Sequence, residues 1–235
     1  MNNRKIPKVV YYTYKTNIFP QSIIDIIEYN KKMCPEYDFK FFDDDMCDKF
    51  IKDNFDEKIY KAYNKINPKL GAMKADFWRY CVLYKNGGIY LDIKVRIIIN
   101  LDTIINDKDT CVFMPPHQVG AGRIKNNIPV FEQWLLIFEP NHIYLEEMIK
   151  KITDDILNEY NPPTDIISYE GCSLIKHKVL NVTGPDALSR IISNTKGEHR
   201  LCYEPFYIYD DFAKFDLYHL NNIIHYSFLD EQLYI

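Results

Sequence analysis

The chain lacks long hydrophobic runs and paired cysteines, and each absence excludes a class of protein. No stretch approaches the ~20 apolar residues of a membrane-spanning helix, and Met1 to Ile6 has no apolar signal region. The six cysteines are widely spread, with no CxxC pair and no cysteine and histidine spacing of the zinc-finger kind. We therefore predict free, buried thiols, no membrane span, and a cytoplasmic location, which would be the host cytoplasm for a viral protein.

Positive charge is not concentrated anywhere in the chain. The 29 Lys and Arg residues against 33 Asp and Glu residues give a formal net charge of -4, and no run of Lys or Arg stands out. A nucleic-acid partner or an anionic membrane surface is therefore not expected, and any anion site must be local. The 235 residues suit one buried core, so residues 1–235 are predicted to form a single domain.

Aromatic residues, in contrast, are abundant. The 19 Tyr and 14 Phe residues exceed what a core of this size needs. Aromatic rings with a polar edge suit stacking on nucleobases or sugar faces. Core packing, with tyrosine in place of leucine, is the alternative and accounts for most of them.

Strand and helix patterns alternate from the N-terminus onward. Lys8 to Tyr14 is short, β-branched and aromatic, which indicates a strand, and a helical pattern begins at Pro20. A second strand is predicted at Asp38 to Phe42. The aspartates at 43–45 are predicted to cap the next helix through its free amide groups, with a metal site as the alternative.

A long helix and a strand follow, joined by two glycines. Leu70 to Lys85 has a helical pattern that ends at Gly87 and Gly88, since glycine tolerates the left-handed conformation of helix ends. Ile89 to Ile99 alternates apolar and polar residues, as a half-buried strand does. Further elements are predicted at Thr110 to Met114 and Val130 to Phe138 (strands), and at Ile143 to Leu157 and Gly184 to Ile192 (helices). This order predicts an α/β fold with a mixed sheet flanked by helices.

Four charged residues around the glycines form a candidate site. Asp76 and Arg79 are three apart on a predicted helix, so both side chains leave one face and can reach one ligand. Asp92 and Lys94 are predicted to share a face of the following strand, at the edge of the sheet. The alternative is an ordinary helix ion pair beside a solvated strand face.

The residues around this site resemble a known family. The runs Lys74 to Tyr80 (KADFWRY) and Leu83 to Val95 (LYKNGGIYLDIKV) resemble the DXD sugar-binding segment of family 32 glycosyltransferases. That family includes yeast initiating mannosyltransferases and is related to clostridial glucosylating toxins. Ile6 to Thr16 resembles the family's opening strand, and Thr183-Gly184-Pro185 and His225-Tyr226-Ser227 resemble its later segments. The resemblance thus spans nearly the whole chain.

The resemblance implies a fold and a reaction. The implied fold is the GT-A type, with a Rossmann-like nucleotide-binding sheet. The implied reaction moves a hexose from a UDP- or GDP-sugar to a glycan or protein-linked acceptor, with retention of anomeric configuration. No residue of this sequence can be named as a catalytic nucleophile. The resemblance implies a reaction on one face of the sugar, in which the leaving diphosphate assists the acceptor hydroxyl. Binding and electrostatics would then dominate catalysis.

The resemblance also implies roles for individual residues. Asp76 and Arg79 match positions that hold hydroxyls and the diphosphate, and the planar guanidinium of arginine suits phosphate oxygens. Thr13 and Tyr14 match positions near the base, where Tyr14 would be a stacking platform or part of the core. The donor-binding set is Thr13, Tyr14, Asp76, Arg79, Gly87, Gly88, Asp92 and Gly184, and the catalytic set is Arg79, Asp92 and Lys94.

The metal position departs from the family pattern. Asp92 matches the first aspartate of the DXD motif, but Lys94 replaces the second, which is usually the direct metal ligand. Mn²⁺ or Mg²⁺, with Asp92 and His225 as ligands, is therefore doubtful. An ammonium group can supply part of the charge neutralisation that a cation provides. We hypothesise that Lys94 contacts the diphosphate.

Two other functions are compatible with parts of this pattern. An aspartate-dependent phosphatase has a strand ending in Asp-x-Asp near its N-terminus, but several elements precede Asp92 and Lys94 occupies the acid position. A degenerate GT-A domain that binds a nucleotide-sugar or glycan without turnover is made credible by the missing aspartate. Donor hydrolysis separates that second rival from an active enzyme.

Overall fold

A six-stranded mixed sheet forms the centre of the computed structural model, which describes residues 4–115, 129–163, 173–211, 213 and 231–235. Its strand order is β2-β1-β3-β6-β5-β7, and β4 and β8 form a separate pair. The strands are β1 (Val9–Thr13), β2 (Asp38–Phe42), β3 (Gly88–Leu91), β4 (Val95–Ile97), β5 (Cys111–Phe113), β6 (Leu135–Phe138), β7 (Arg200–Leu201) and β8 (Tyr207–Tyr209). The α/β class with a mixed sheet is therefore confirmed.

Helices flank the sheet. They are α1 (Gln21–Met33), α2 (Asp44–Asn54), α3 (Glu57–Lys65), α4 (Gly71–Asn86), α5 (Leu101–Ile104), α6 (Ile143–Leu157), α7 (Leu174–Val182) and α8 (Pro185–Asn194). The predicted aspartate cap is confirmed, because the Asp43 side chain accepts a hydrogen bond from the Met46 amide at 2.8 Å. No helix within the described residues has the length and apolarity to span a membrane. The cytoplasmic location stays a prediction.

The three strands that carry the sequence motifs run parallel. β1 pairs in parallel with β2 on one side and with β3 on the other, and the register places Thr13 beside Phe42 and Tyr11 beside Tyr90. All three strands therefore end at the same edge of the sheet. In open α/β sheets ligands bind outside the carboxyl ends of the strands. This edge, where the residues after β1, β2 and β3 leave the sheet, is the place to look for a site.

Helix α4 is buried along most of its length. Its residues from Phe77 to Leu83 are all buried, and Trp78 and Phe77 are among the largest fully buried side chains. A helix that is apolar on all sides belongs in the interior of a protein. The two charged residues Asp76 and Arg79 are carried into that interior with it.

Two glycines join α4 directly to β3. Gly87 and Gly88 have φ values of 64° and 104°, which L side chains rarely adopt. A Cβ on Gly87 would lie 2.6 Å from Pro140 Cδ, and one on Gly88 would lie 2.7 Å from the Val9 carbonyl oxygen. The glycines thus allow close packing at the start of β3 as well as the sharp turn.

The predicted strand from Ile89 to Ile99 is wrong, because it is broken at Asp92. β3 ends at Leu91, and a turn closed by a 2.8 Å hydrogen bond from the Val95 amide to the Asp92 carbonyl leads into β4. β3 is also a central strand of the sheet, between β1 and β6, and not an edge strand as predicted. Asp92 and Lys94 therefore lie in a turn and do not share a strand face.

A buried asparagine explains why the chain leaves the sheet after β3. Asn30 of α1 donates to the Val95 carbonyl and accepts from the Ile97 amide, both at 2.8 Å. These bonds satisfy backbone groups of β4 away from the central sheet. The side chains of Ile93, Val95 and Ile97 are still buried, so the apolar alternation continues through the turn and conceals it.

Candidate active site

A buried arginine lies where α4, the end of β3 and the chain before β6 meet. Nη2 of Arg79 lies 3.0 Å from Asp76 Oδ1 and 3.7 Å from Asp92 Oδ1. Nη1 donates to the carbonyl oxygen of Gln133 at 2.9 Å, and Cζ lies 4.3 Å from the centroid of the Tyr90 ring. A buried charge is costly unless it is paired, so these contacts make the burial of Arg79 possible. They also hold its guanidinium beside Asp92.

Asp76 is held by three neighbours. Its Oδ1 accepts from the Gln133 side-chain amide at 2.8 Å and pairs with Arg79, while its Oδ2 accepts from the Thr183 hydroxyl at 2.9 Å. Asp76 and Arg79 are one helical turn apart on α4, so both side chains leave the same face, as the sequence spacing predicted. The Asp76–Arg79 pair is thus held by residues from three other parts of the chain, which are Asp92, Gln133 and Thr183.

The ionisation of Asp76 reflects its burial. Loss of solvent raises the pKa of Asp76 to about 6, and the Arg79 guanidinium and the two hydrogen-bond donors oppose that rise. The carboxyl group is therefore ionised at neutral pH. It forms a charged pair with Arg79, whose guanidinium stays protonated throughout the physiological range.

Replacing Asp76 with asparagine is expected to remove a pH dependence from folding stability. An aspartate whose pKa is 3.8 in the unfolded chain and about 6 in the folded protein binds its proton more tightly when folded. Its contribution to the free energy of unfolding therefore falls as the pH rises from the unfolded pKa of 3.8 through the folded pKa of about 6, by about 3 kcal/mol in all. Urea unfolding of both proteins at several pH values between about 4 and 7 measures this.

The expected result is a wild-type free energy of unfolding that falls, relative to the Asp76→Asn variant, as pH increases. The raised pKa of Asp76 would be contradicted if the wild-type free energy of unfolding, minus that of the variant, stayed constant or increased toward neutral pH.

Asp92 is the partly exposed end of this cluster. Its side chain is 23% exposed, and its Oδ1 accepts from the Tyr90 hydroxyl at 2.8 Å. Its backbone amide donates to the Trp134 carbonyl at 2.8 Å, which continues the β3–β6 pairing by one residue. A carboxylate beside a guanidinium at a sheet edge can bind sugar hydroxyls and phosphate oxygens together.

The ammonium group of Lys94 lies over an aromatic ring. Its Nζ is 5.3 Å from the centroid of the Tyr209 ring in β8. Burial raises the pKa of the Tyr209 hydroxyl, the Asp92 charge raises it further, and the Arg79 charge opposes the rise. Tyr209 thus contacts Lys94 and is influenced by the charges of Asp92 and Arg79.

The donor set of this cluster does not fit a divalent cation. Mn²⁺ and Mg²⁺ bind oxygen ligands, but the second position of the DXD-like segment carries the ammonium group of Lys94, and Arg79 faces Asp92. Within the described part of the chain, no group of three His, Cys, Asp or Glu residues could hold a metal ion. His225, the other predicted ligand, lies outside the described residues.

The residues predicted to approach the base lie at the same sheet edge. Thr13 ends β1 and donates its hydroxyl to the Phe42 carbonyl at 2.7 Å. Tyr14 follows it, half-buried, with its ring 6.1 Å from that of Phe19. The structure thus gives Tyr14 a packing role, and base stacking by Tyr14 stays a prediction.

The structure does not bring all the predicted donor residues to the cluster. Gly87 and Gly88 lie at the start of β3, and Asp92 follows its other end, about 13 Å along an extended strand. Gly184 does lie beside the cluster, directly after Thr183. A Cβ on Gly184 would lie 2.6 Å from Leu180 Cα, so this glycine lets α7 and α8 meet closely.

Four residues of the cluster were missed as site residues. Thr183 belongs to the quoted Thr-Gly-Pro segment, and Tyr90 stands two residues before Asp92, so both were within reach of the motif. Gln133 and Tyr209 have no local signal, because they join the cluster through contacts across long stretches of chain.

Comparisons with known proteins show similarity to glycosyltransferases. Residues 20–111 match the family described as the glycosyltransferase sugar-binding region containing a DXD motif. The initiation-specific alpha-1,6-mannosyltransferase of Candida albicans is 28% identical over 177 residues, which cover 67% of this chain and 45% of that protein. A glycosyltransferase of Acanthamoeba polyphaga mimivirus is 28% identical over 149 residues, which cover 63% of this chain and 54% of that protein. The chain spans about half the length of these relatives.

Solved structures with the same fold are also glycosyltransferases. The UDP-bound glycosyltransferase domain of the YGT toxin superposes with a TM-score of 0.60 at 8% identity, covering 90% of this chain and 82% of that domain. The PaToxG glycosyltransferase superposes with a TM-score of 0.55 at 15% identity, covering 80% of this chain and 69% of that one. The predicted GT-A fold is thereby confirmed. The chain is therefore similar to glycosyltransferases that carry the DXD-type sugar-binding region, and this likeness is carried by residues 20–111 and by the sequence relatives.

Proposed function

We propose that this protein transfers a hexose from a nucleoside diphosphate sugar to a hydroxyl of a glycan or glycoprotein, with retention of anomeric configuration. Asp92 binds hydroxyls of the donor, and Arg79 binds its diphosphate, with Asp76 holding Arg79 in place. Lys94 adds a second positive charge on the leaving group. No protein nucleophile is required, because the leaving diphosphate assists the acceptor hydroxyl on the same face of the sugar.

The contact between Arg79 and Asp92 carries this proposal. Nη2 of Arg79 lies 3.7 Å from Asp92 Oδ1, at the end of a parallel strand where sheets of this class bind ligands. A guanidinium offers two parallel donors to phosphate oxygens, and the neighbouring carboxylate accepts from hydroxyls. A nucleotide-sugar has both groups next to each other.

Two cationic side chains of the cluster can act on a bound diphosphate. Arg79 and Lys94 formally balance Asp76 and Asp92, so the diphosphate is the group that would bring net negative charge to the site. One unit charge at 4 Å is worth about 4 kcal/mol at an effective dielectric constant of 20. Arg79 and Lys94 can therefore stabilise the negative charge that develops on the leaving group, which is the work a metal does elsewhere.

The first donors to test follow from the relatives. Several related proteins are named as mannosyltransferases, and the YGT toxin domain was solved with UDP bound. GDP-mannose, UDP-glucose and the free nucleotides UDP and GDP therefore form the core of a donor panel. Glycan and glycoprotein acceptors are the second variable.

A thermal-shift panel with a parallel hydrolysis assay tests the proposed function. One donor is expected to raise the melting temperature in a concentration-dependent way without added Mn²⁺, and the same donor is expected to be hydrolysed slowly. Stabilisation without any release of sugar would identify a binding domain and contradict transfer. Equal melting temperatures with all donors, with and without Mn²⁺, would overturn the proposal.

A further inference from the structure

Gln133 contacts both members of the Asp76–Arg79 pair. It lies two residues before β6, and its side-chain Nε2 donates to Asp76 Oδ1 at 2.8 Å. Its backbone oxygen accepts from Arg79 Nη1 at 2.9 Å. Its side-chain Oε1 accepts from the Tyr80 hydroxyl at 2.6 Å. Gln133 lies outside the matched residues 20–111 and contacts three residues of α4, which are Asp76, Arg79 and Tyr80.

The orientation of this amide is fixed by its two partners. Burial raises the pKa of the Tyr80 hydroxyl well above its usual value, so the group stays protonated, and the nearer of its two acceptors is Gln133 Oε1 at 2.6 Å, with the Thr183 carbonyl oxygen at 3.0 Å. The Asp76 carboxylate can only accept, so Nε2 must face it. A flipped amide would place its oxygen against the carboxylate. This position therefore needs a donor toward Asp76 and an acceptor toward Tyr80, and the glutamine amide supplies both.

The Gln133 amide and the Arg79 guanidinium both contact the same oxygen of Asp76. Asp76 Oδ1 accepts from Gln133 Nε2 and forms an ion pair with Arg79 Nη2, and Asp76 Oδ2 accepts from Thr183. Gln133 and Thr183 thus hold the carboxylate from both sides, with Oδ1 facing Arg79. Nη2 of Arg79 remains near Asp92, at the exposed side of the cluster.

We propose that Gln133 is a positioning residue for the transfer reaction, whose side-chain amide orients the Asp76 carboxylate and thereby sets the position of the Arg79 guanidinium beside Asp92, where the donor diphosphate binds. This inference rests on the proposed function. Gln133 acts through Asp76 and Arg79, so its loss should reduce the rate of the chemical step without removing any group that binds the donor directly.

A carboxyl group in place of the amide gives a test with a distinctive pH profile. When protonated, the new carboxyl can donate to Asp76 as the amide does. When ionised, it lies within about 3 Å of a second carboxylate, and two like charges at that distance disfavour each other strongly. The charged and titratable groups that face this position are Asp76, Arg79 and Tyr80 from α4, and Asp92 and Tyr90 from the β3 segment.

The experiment compares three variants with the wild type. Gln133→Glu changes the amide to a carboxyl, Gln133→Met removes both hydrogen bonds at similar size, and Gln21→Glu is the matched control. Gln21 donates to Asp25 Oδ1 at 2.7 Å on the exposed face of α1, which is the same kind of contact away from the cluster. For each protein, kcat and KM for donor hydrolysis are measured from about pH 5.5 to pH 8, together with the unfolding midpoint.

We expect the activity of Gln133→Glu relative to wild type to fall at least tenfold across this range, mainly in kcat. Gln133→Met should be about tenfold slower at every pH, and Gln21→Glu should match the wild type. A pH-dependent unfolding midpoint for Gln133→Glu without a change in its kinetic profile would reduce Gln133 to a structural role and overturn the inference. A wild type that neither binds nor hydrolyses any donor would instead refute the proposed function, and with it the role in transfer.

Discussion

Replacing Arg79 with glutamine is expected to lower kcat/KM for transfer by about 10³-fold or more. Removing one preorganised group that stabilises developing charge costs roughly 10²- to 10³-fold in many enzymes. Arg79 also holds two carboxylates, Asp76 and Asp92, which would be left without their partner. Stability should therefore fall as well, by about 3 to 5 kcal/mol, as when one member of a buried ion pair is removed.

Stability and activity must be separated in this experiment. Arg79→Lys keeps the positive charge but loses the planar fork, so it should lose about 10²-fold in kcat/KM with a smaller loss of stability. Arg200→Gln is the matched control, because Arg200 pairs with Asp109 at 2.7 Å on β7, at the far edge of the sheet. It should lower the melting temperature while leaving kcat/KM unchanged at temperatures where the protein is folded. Equal kinetic losses in Arg79→Gln and Arg200→Gln would contradict a direct role for Arg79.

The strand and helix order was accessible from the sequence where local signals were strong. Apolar spacing and end signals gave β2 and α6 with the bounds that the structure shows. Helices α3 and α7 were missed, because each has nine residues and α3 buries few of them. The turn at Asp92 was missed for a different reason, since Asn30 holds the following strand away from the sheet by a contact 65 residues away in sequence.

The site was predictable only as far as it is local. The spacing of Asp76 and Arg79 placed both on one face of α4, and the short connection to β3 brought Asp92 near them. Thr183 and Gln133 reach Asp76 from 107 and 57 residues away, so no pattern within a window of the sequence could pair them. The charged groups could therefore be predicted from the sequence, whereas the residues that orient them could be identified only in the folded chain.

Exchanging Lys94 for aspartate is expected to make donor hydrolysis depend on added Mn²⁺ more strongly than it does in the wild type. The substitution removes the ammonium group that lies over Tyr209 and restores a second carboxylate two residues after Asp92. Without added metal, the loss of one positive charge from the leaving diphosphate should lower kcat/KM by about 10²-fold. With Mn²⁺, the two carboxylates and the diphosphate could share the ion, and part of this loss should be recovered.

The matching variants separate charge from shape. Lys94→Ala should lose the same 10²-fold or so but gain nothing from Mn²⁺, while Lys94→Arg should keep much of the activity because it keeps the charge. Lys40→Asp is the control, since Lys40 is an exposed residue of β2 paired with Asp38. Initial rates of donor hydrolysis with Mn²⁺, Mg²⁺ or a chelator give the comparison. Full activity in Lys94→Asp, with no response to metal in that variant or in the wild type, would show that Lys94 does not neutralise the diphosphate. The positive charge on the leaving group would then have to come from Arg79 alone.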